Sequence, residues 1–260
     1  MRILAVGDVV GRPGRRILRE MLSNIKRELK IDICIVNGEN AATGNGITEK
    51  VAREIYSFGA DIITLGNHTW SNNAVYNFID GDECIVRPAN FASGLPGKGS
   101  TIFYMGSSKV GVINLCGRVY LEAAQCPFES ALSEIEKLKD YTDIIIVDFH
   151  AEATSEKIAM GWYLDGKVSA VFGTHTHVQT ADERILPNGT GFITDIGMTG
   201  PYNSVIGIDK DVIIKRFTTE EHAKFLIPEG DMQLNGVYFE IDEKSGKCVR
   251  LERIRYFLKG

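Results

Sequence analysis

No stretch of this sequence stays apolar for long enough to cross a membrane. The N-terminal MRILAVGDVV carries one arginine and a short apolar segment interrupted by Asp8, which fits neither a secretory leader nor a span of ~20 residues. A cytoplasmic protein without a membrane partner is expected. Paired-cysteine spacing is missing too. Cys34, Cys84, Cys116, Cys126 and Cys248 are five in number and form no C-x-x-C, so they read as reduced thiols, several of them in buried strands. Excess positive charge is also lacking. The 29 lysines and arginines face 34 acidic residues, for a net charge of -5, and apart from Arg12, Arg15, Arg16 and Arg19 they are scattered, which leaves no footprint for duplex DNA. The glycine-rich pieces match no phosphate-binding loop or dinucleotide fingerprint, so neither a bound nucleoside triphosphate nor NAD is expected. No linker, repeat or low-complexity run divides the 260 residues, and the expectation is a single domain over 1–260.

What is present is a repeated unit in which a short β-branched run ends at a polar or glycine residue and leads into a helical pattern. Strands are expected at Ile3–Gly7, Ile33–Val36 and Asp61–Leu65. Helices are expected from Pro13 to Leu29, from a Thr48 cap to Gly59, and near Asn72–Ile79. Beyond Ser100, strands at Thr101–Met105 and Val110–Leu115 flank the turn-like Gly106–Lys109. A helix near Glu129–Lys139, a strand at Asp143–Asp148, a helix at Ser155–Leu164 and a strand at Ala170–Gly173 follow. Alternation in Val212–Phe217, Val237–Ile241 and Val249–Phe257 predicts antiparallel strands. The fold class is therefore α/β, with two packed sheets and helices outside.

Polar residues gather where the apolar runs stop: Asp8 after ILAVG, Glu39 and Asn40 after ICIVNG, Asn67 and His68 after ITLG, His150 after IIIVDF, and His175 and His177 after AVFG. Each fragment has a plain reading by itself, as a turn former, a helix entry or a hydrogen-bonded core histidine. Joined in order, they deliver carboxylate, amide and imidazole to the carboxyl ends of consecutive strands, the usual ligand crevice of an open α/β sheet. The remaining histidine, His222, sits in the charged TTEEHAK and reads as solvated. Neutral imidazoles with carboxylate and amide oxygens, and no thiolate nearby, suit Mn, Fe, Zn, Co or Ni better than a closed structural zinc. Seven candidate ligands exceed the needs of one ion, and a bridging carboxylate makes a pair of ions ~3.5–4 Å apart reasonable.

These residues resemble the calcineurin-like metallophosphoesterases, whose pattern is an N-terminal Asp, an acidic residue after the second strand, GNH, a lone His and GHxH. The likeness is closer to the YmdB-like bacterial cyclic-nucleotide phosphodiesterases, whose pieces GDVVG, NGEN, GNH, DFHAE and GTHTHVQTAD all occur here. Two positions depart from the broad superfamily: Val10 stands where an imidazole is usual, with Asn40 the candidate replacement, and Glu39 stands where the bridging Asp is usual. The resemblance implies a sandwich of two mostly mixed β-sheets flanked by helices, and two divalent or trivalent ions, Fe or Mn in preference to Zn, Co or Ni. It places Asp8, Asn40 and His177 on one ion, Asn67, His150 and His175 on the other, and Glu39 between them. His68 is then free to act as general acid, with a hydroxide generated on the metal as nucleophile. The implied substrates are small phosphodiesters, 2',3'- and 3',5'-cyclic nucleotides. Thr43, Asn45 and Arg118 are candidates for substrate contact. A phosphomonoesterase or pyrophosphatase on the same metals, a regulatory protein in which hydrolysis is incidental, and a homo-oligomeric state all stay open.

Overall fold

The computed structural model describes residues 1–122, 125–219 and 224–260; His222 lies outside them. In chain order the strands and helices are β1 (Arg2–Val6), β2 (Asp8–Val9), α1 (Gly11–Leu29), β3 (Ile33–Asn37), α2 (Glu49–Ser57), β4 (Ile62–Thr64) and β5 (Ile85–Val86). Then come β6 (Ser100–Met105), β7 (Ser108–Cys116), α3 (Pro127–Lys139), β8 (Ile145–His150), α4 (Thr154–Leu164), β9 (Ala170–Thr174), β10 (Arg184–Ile185) and β11 (Gly191–Ile193). The chain continues through β12 (Met198–Pro201), α5 (Lys210–Thr219), β13 (Met232–Ile241) and β14 (Cys248–Leu258).

Two sheets result. The first runs β2-β12-β13-β1-β3-β4-β5, with β14 also paired to β13; the second runs β10-β11-β9-β8-β7-β6. Both are mixed. In the first, β1, β3, β4 and β5 are parallel while β13 is antiparallel to β1. In the second, β7, β8, β9 and β11 are parallel while β6 and β10 are antiparallel edges. Parallel strands buried on both faces read as continuous apolar runs, which is why ICIVN and IIVDFH carry no polar alternation until their ends.

Three apolar layers hold the stack. Leu4, Val6, Cys34 and Val36 meet Ile17, Leu18, Leu22 and Ile25 of α1 and Val51 and Ile55 of α2 on one outer face. Ile113, Val147 and Phe149 meet Ala131 and Ile135 of α3 and Met160 and Leu164 of α4 on the other. Between the sheets lie Ile3, Ile35, Val112, Ile146, Phe172, Val237 and Phe239. The two-sheet sandwich with helices outside is thus the architecture expected from the sequence.

Two local expectations fail. Val212–Phe217 lies in helix α5 and not in a strand: Asp209 Oδ1 accepts from the amides of Asp211 and Val212, and this capping of free amides outweighs the β preference of Val212, Ile213 and Ile214. The helix near Asn72–Ile79 is instead two 3-10 turns, Asn73–Asn77 and Ile79–Gly81; Asn72 does cap the first, through Ala74 N. The Thr48 cap holds, accepting from Val51 N at 3.3 Å. All five cysteines are free, and Cys34, Cys116 and Cys248 are buried. Burial pushes the thiols of Cys34 and Cys248 up to about 12. Among the described residues no helix is long and apolar enough to cross a membrane.

Phe239 is fully buried against Phe172, with ring centroids 6.3 Å apart. Phe239→Ala should cost about 3–5 kcal/mol of unfolding free energy, as large-to-small core truncations do, whereas Phe257→Ala, at a side chain 53% exposed, should stay within about 0.5 kcal/mol. Urea unfolding of the two variants checks this.

Candidate metal centre

The carboxyl ends of both parallel strand sets meet at one edge of the sandwich. From the first sheet come Asp8 just beyond β1, Glu39 and Asn40 just beyond β3, and Asn67 and His68 just beyond β4. From the second come His150, the last residue of β8, and His175 and His177 just beyond β9. Asp8, Glu39 and His150 are 0–1% exposed and Asn40 is 4% exposed.

The contacts interlock. His150 Nε2 lies 3.2 Å from Glu39 Oε1, 2.9 Å from Asn67 Oδ1 and 3.0 Å from His175 Nδ1. One ring nitrogen carries at most one proton, so three electron-rich neighbours at that distance exceed what hydrogen bonding can satisfy. Asn40 Nδ2 lies 2.9 Å from Glu39 Oε1 and 3.3 Å from His177 Nε2. Asp8 Oδ2 accepts from the His175 amide at 3.2 Å. Asp8 Oδ1, with His150 Nδ1 and His177 Nε2 each 3.8 Å away, is buried without a hydrogen-bond partner. Glu39, His150 and His175 each offer a ligand atom within 4.8 Å of the others. An orphaned carboxylate oxygen beside a crowded set of imidazole, amide and carboxylate donors fits a hard-to-borderline cation.

Charge tells the same story. Burial pushes Asp8 above the ordinary carboxylate range, against the pull of His177 and His150. Burial acts upward on Glu39 as well, but His150 and the His68 amide outweigh it and hold the carboxyl at about 2. Burial favours neutral imidazole in both neighbouring rings. Glu39 and Asp8 overcome it at His150, raised to about 9, while His175, beside His150, falls to about 3.

Glycine makes the approach feasible. A Cβ on Gly66 would sit 2.3 Å from Glu39 Oε2 and 2.5 Å from His150 Nε2, so the first residue of GNH lets the backbone reach the cluster. That backbone then donates the His68 amide to Glu39 Oε2 at 3.1 Å. The His68 ring turns to Ser71, Nδ1 to Oγ 3.1 Å, and makes no hydrogen bond to the other seven. Thr43, Asn45 and Arg118 are exposed, and their side chains take no part in the hydrogen bonding of the cluster. Only the backbone of Arg118 is held, by Glu156 Oε1 at 2.9 Å.

Several participants escaped the sequence reading. Thr174 Oγ1 contacts His150 Nδ1 at 2.9 Å and donates to Asp148 Oδ1 at 2.7 Å; Asp148 Oδ2 accepts from Thr64 Oγ1 and Asn37 Nδ2. This chain orients the ring and its tautomer. The i, i+2 spacing of Asp148 and His150 in a strand, which puts both on one face, was the available signal. Glu152 Oε2 meets His175 Nε2 at 3.1 Å, its place at the end of DFHAE being the available signal, and the Ile206 carbonyl meets His177 Nδ1 at 2.9 Å, which nothing local marked.

Burial raises Asp148 from the ordinary 3.8 to about 6, against His150 and the Thr64 and Thr174 hydrogen bonds. A carboxyl raised in the fold stabilises it only while protonated, so its contribution is full below 3.8 and is lost as pH rises through about 6. In chelator, Asp148→Asn should therefore gain on the parent as pH rises through this window. A difference in unfolding free energy that stays flat across it contradicts this origin.

The model of the YmdB-like protein family matches residues 4–254. The chain is 51% identical over 254 residues to the 2',3'-cyclic-nucleotide 2'-phosphodiesterase of Bacillus subtilis strain 168, covering 98% of this chain and 96% of that one. A crystal structure of a hypothetical protein from Thermus thermophilus superposes with a TM-score of 0.92 at 37% identity, covering 100% of this chain and 99% of that one. Another, of a novel phosphatase from Mycoplasma pneumoniae, superposes with a TM-score of 0.91 at 37% identity, covering 99% and 93%. Matched along nearly its whole length, the chain belongs to the YmdB-like protein family.

Proposed function

We propose that this protein is a metal-dependent phosphodiesterase acting on small phosphodiesters, with 2',3'-cyclic nucleotides the leading substrate and 3',5'-cyclic nucleotides a second. The crowding of Glu39, Asn67 and His175 around His150 Nε2, beside the orphaned Asp8 Oδ1, carries the reading. The B. subtilis relative at 51% identity supports the substrate class.

In this reading Asp8, Asn40 and His177 would hold one cation and Asn67, His150 and His175 a second, with Glu39 available to both. When bound, such ions lower the pKa of coordinated water toward 7 and neutralise charge on the phosphoryl oxygens. The chain's own groups do the rest. Glu39 and Asp8 would supply the buried carboxylates that hold the cations and balance their charge. To act as general acid His68 must carry both ring protons: Nδ1–H then donates to Ser71 Oγ, and Nε2–H passes to the departing alkoxide, leaving a neutral imidazole. An open recess of about 810 Å³, bounded by His177, Tyr202, Gln233 and Arg255, gives room for the organic part of the diester.

His68→Ala should retain metal yet slow hydrolysis of a cyclic nucleotide, whose leaving alkoxide is poor, by about 10²–10⁴-fold. Bis-p-nitrophenyl phosphate, with a good leaving group, should suffer less. Equal turnover of the cyclic nucleotide by variant and parent removes His68 from the role. A second reading, phosphomonoester hydrolysis, draws on the M. pneumoniae phosphatase at 37% identity; a clear preference of the purified protein for mono- over bis-p-nitrophenyl phosphate would decide for it.

Asp8 also has a thermodynamic signature. It is a buried carboxylate with an oxygen lacking a partner, so removing its charge should relieve the metal-free fold. In chelator, Asp8→Asn should melt at or above the parent temperature. On adding Mn2+ the parent should rise and the variant should not. A variant that melts lower in chelator, or rises equally with Mn2+, contradicts the assignment.

A further inference from the structure

Outside the proposed ligands, the least expected buried group is Lys157. It is 1% exposed in α4, its Nζ is 2.6 Å from Asp195 Oδ2, and Asp195, between β11 and β12 at the start of DIGMTGP, is 0% exposed. The chemistry above uses neither.

Asp195 reaches further than its ion pair. Oδ2 also accepts from the backbone amide of Thr176 at 3.2 Å and from its hydroxyl at 2.7 Å, and Oδ1 accepts from the Gly197 amide at 2.8 Å. Thr176 stands between His175, at φ 95°, and His177, at φ 65°. Two non-glycine residues in this left-handed region persist only where their surroundings over-determine the backbone. Beside the bonds of the two histidines to Asp8, Glu152 and the Ile206 carbonyl, much of the surrounding structure comes from one segment. On one flank of the turn, Ile196 N donates to Gly173 O at 2.9 Å; on the other, Thr180 N donates to Asp195 O at 3.0 Å and Thr180 Oγ1 accepts from Asp195 N at 2.9 Å. A Cβ on Gly173 would meet Thr194 O at 1.8 Å and Lys157 Cδ at 2.9 Å, so the strand leading into the turn packs directly on Lys157 and on the backbone just before Asp195. A buried ion pair is weak ground for stability, since apolar residues of similar volume serve as well. As a fixed anchor aimed at the residue between two ligands, it has a specific use.

We propose that the buried Lys157–Asp195 pair is the positioning device of the His175–Thr176–His177 turn, holding both imidazoles in place before any cation arrives. Lys157 neutralises and orients Asp195, and Asp195 grips Thr176 by backbone and side chain. The inference rests on reading His175 and His177 as metal ligands.

The test uses the full chain stripped of metal, with Mn2+ as the probe. Asp195→Asn keeps the shape but replaces one acceptor oxygen by a donor and leaves Lys157 unpaired. Its Mn2+ affinity per folded molecule, measured by competition with a chelating dye, should fall about 10–100-fold, the usual effect of losing a residue that orients a ligand. Thr176→Val, which removes only the hydroxyl, should fall by less, and Thr176→Ser should restore the parent value. In the metal-free state the ring nitrogen signals of His175 and His177 should move in Asp195→Asn and Thr176→Val but not in Thr176→Ser. A folded Asp195→Asn with parent affinity and parent ring signals overturns the proposal, whatever its melting temperature. If Asp195→Asn does not fold, the same two readouts on Thr176→Val decide. A parent protein that takes up no Mn2+ sinks the metal reading instead, and the ring signals alone then judge the clamp.

Discussion

The constraint on which this molecule turns is the burial of acids and imidazoles that cannot satisfy one another. Asp8 and Glu39 are sealed from water, and His150 Nε2 is shared by three electron-rich atoms. Hydrogen bonds cannot settle such a set, because a buried polar group without a partner is costly and a buried charge more so. A multivalent cation turns the same liabilities into ligands. Proteins place this kind of local instability where function requires it and hold it with the surrounding structure.

That surrounding structure divides the work between the sheets. Asp8, Glu39, Asn40, Asn67 and His68 follow strands of the first sheet, and His150, His175 and His177 end or follow strands of the second. The proposed oxygen ligands thus come from one layer and the proposed imidazole ligands from the other, with His68 the one imidazole on the first side. The site exists only when the layers stack in register, and the shared core of Ile35, Ile146, Phe172 and Phe239 sets that stacking. Folding and assembly of the site are one event, and the cost of converging the donors is met by apolar burial far from them.

Much of this was legible in the chain. A parallel strand buried on both faces is largely apolar until its last residues, so the polar residues at or just beyond its end mark the crevice, and Asp8, Glu39, Asn67, His150 and His175 all announce themselves in this way. The hidden parts are those whose meaning comes from tertiary contact. Lys157 lies in an ordinary helical stretch, and only the fold shows that it is buried against Asp195. Asp148 reads as one more strand residue until Thr174 links it to His150. Val212–Phe217 reads as a strand from its alternation; the amide bonds to Asp209 that cap it as a helix leave no periodic trace. Thr43, Asn45 and Arg118 stand out in the sequence only by their place in loops, and loops carry no periodicity by which to judge a side chain's reach.

The central claim is that the clustered tips of Asp8, Glu39, Asn40, Asn67, His150, His175 and His177 hold cations jointly. Anomalous diffraction at the manganese edge, from crystals of the full chain grown with Mn2+, addresses it most directly. Two peaks within this cluster, separated by about 3.5–4 Å as in paired-metal hydrolases, are the expected result. A cluster without a peak, with manganese elsewhere or nowhere on the protein, would contradict it.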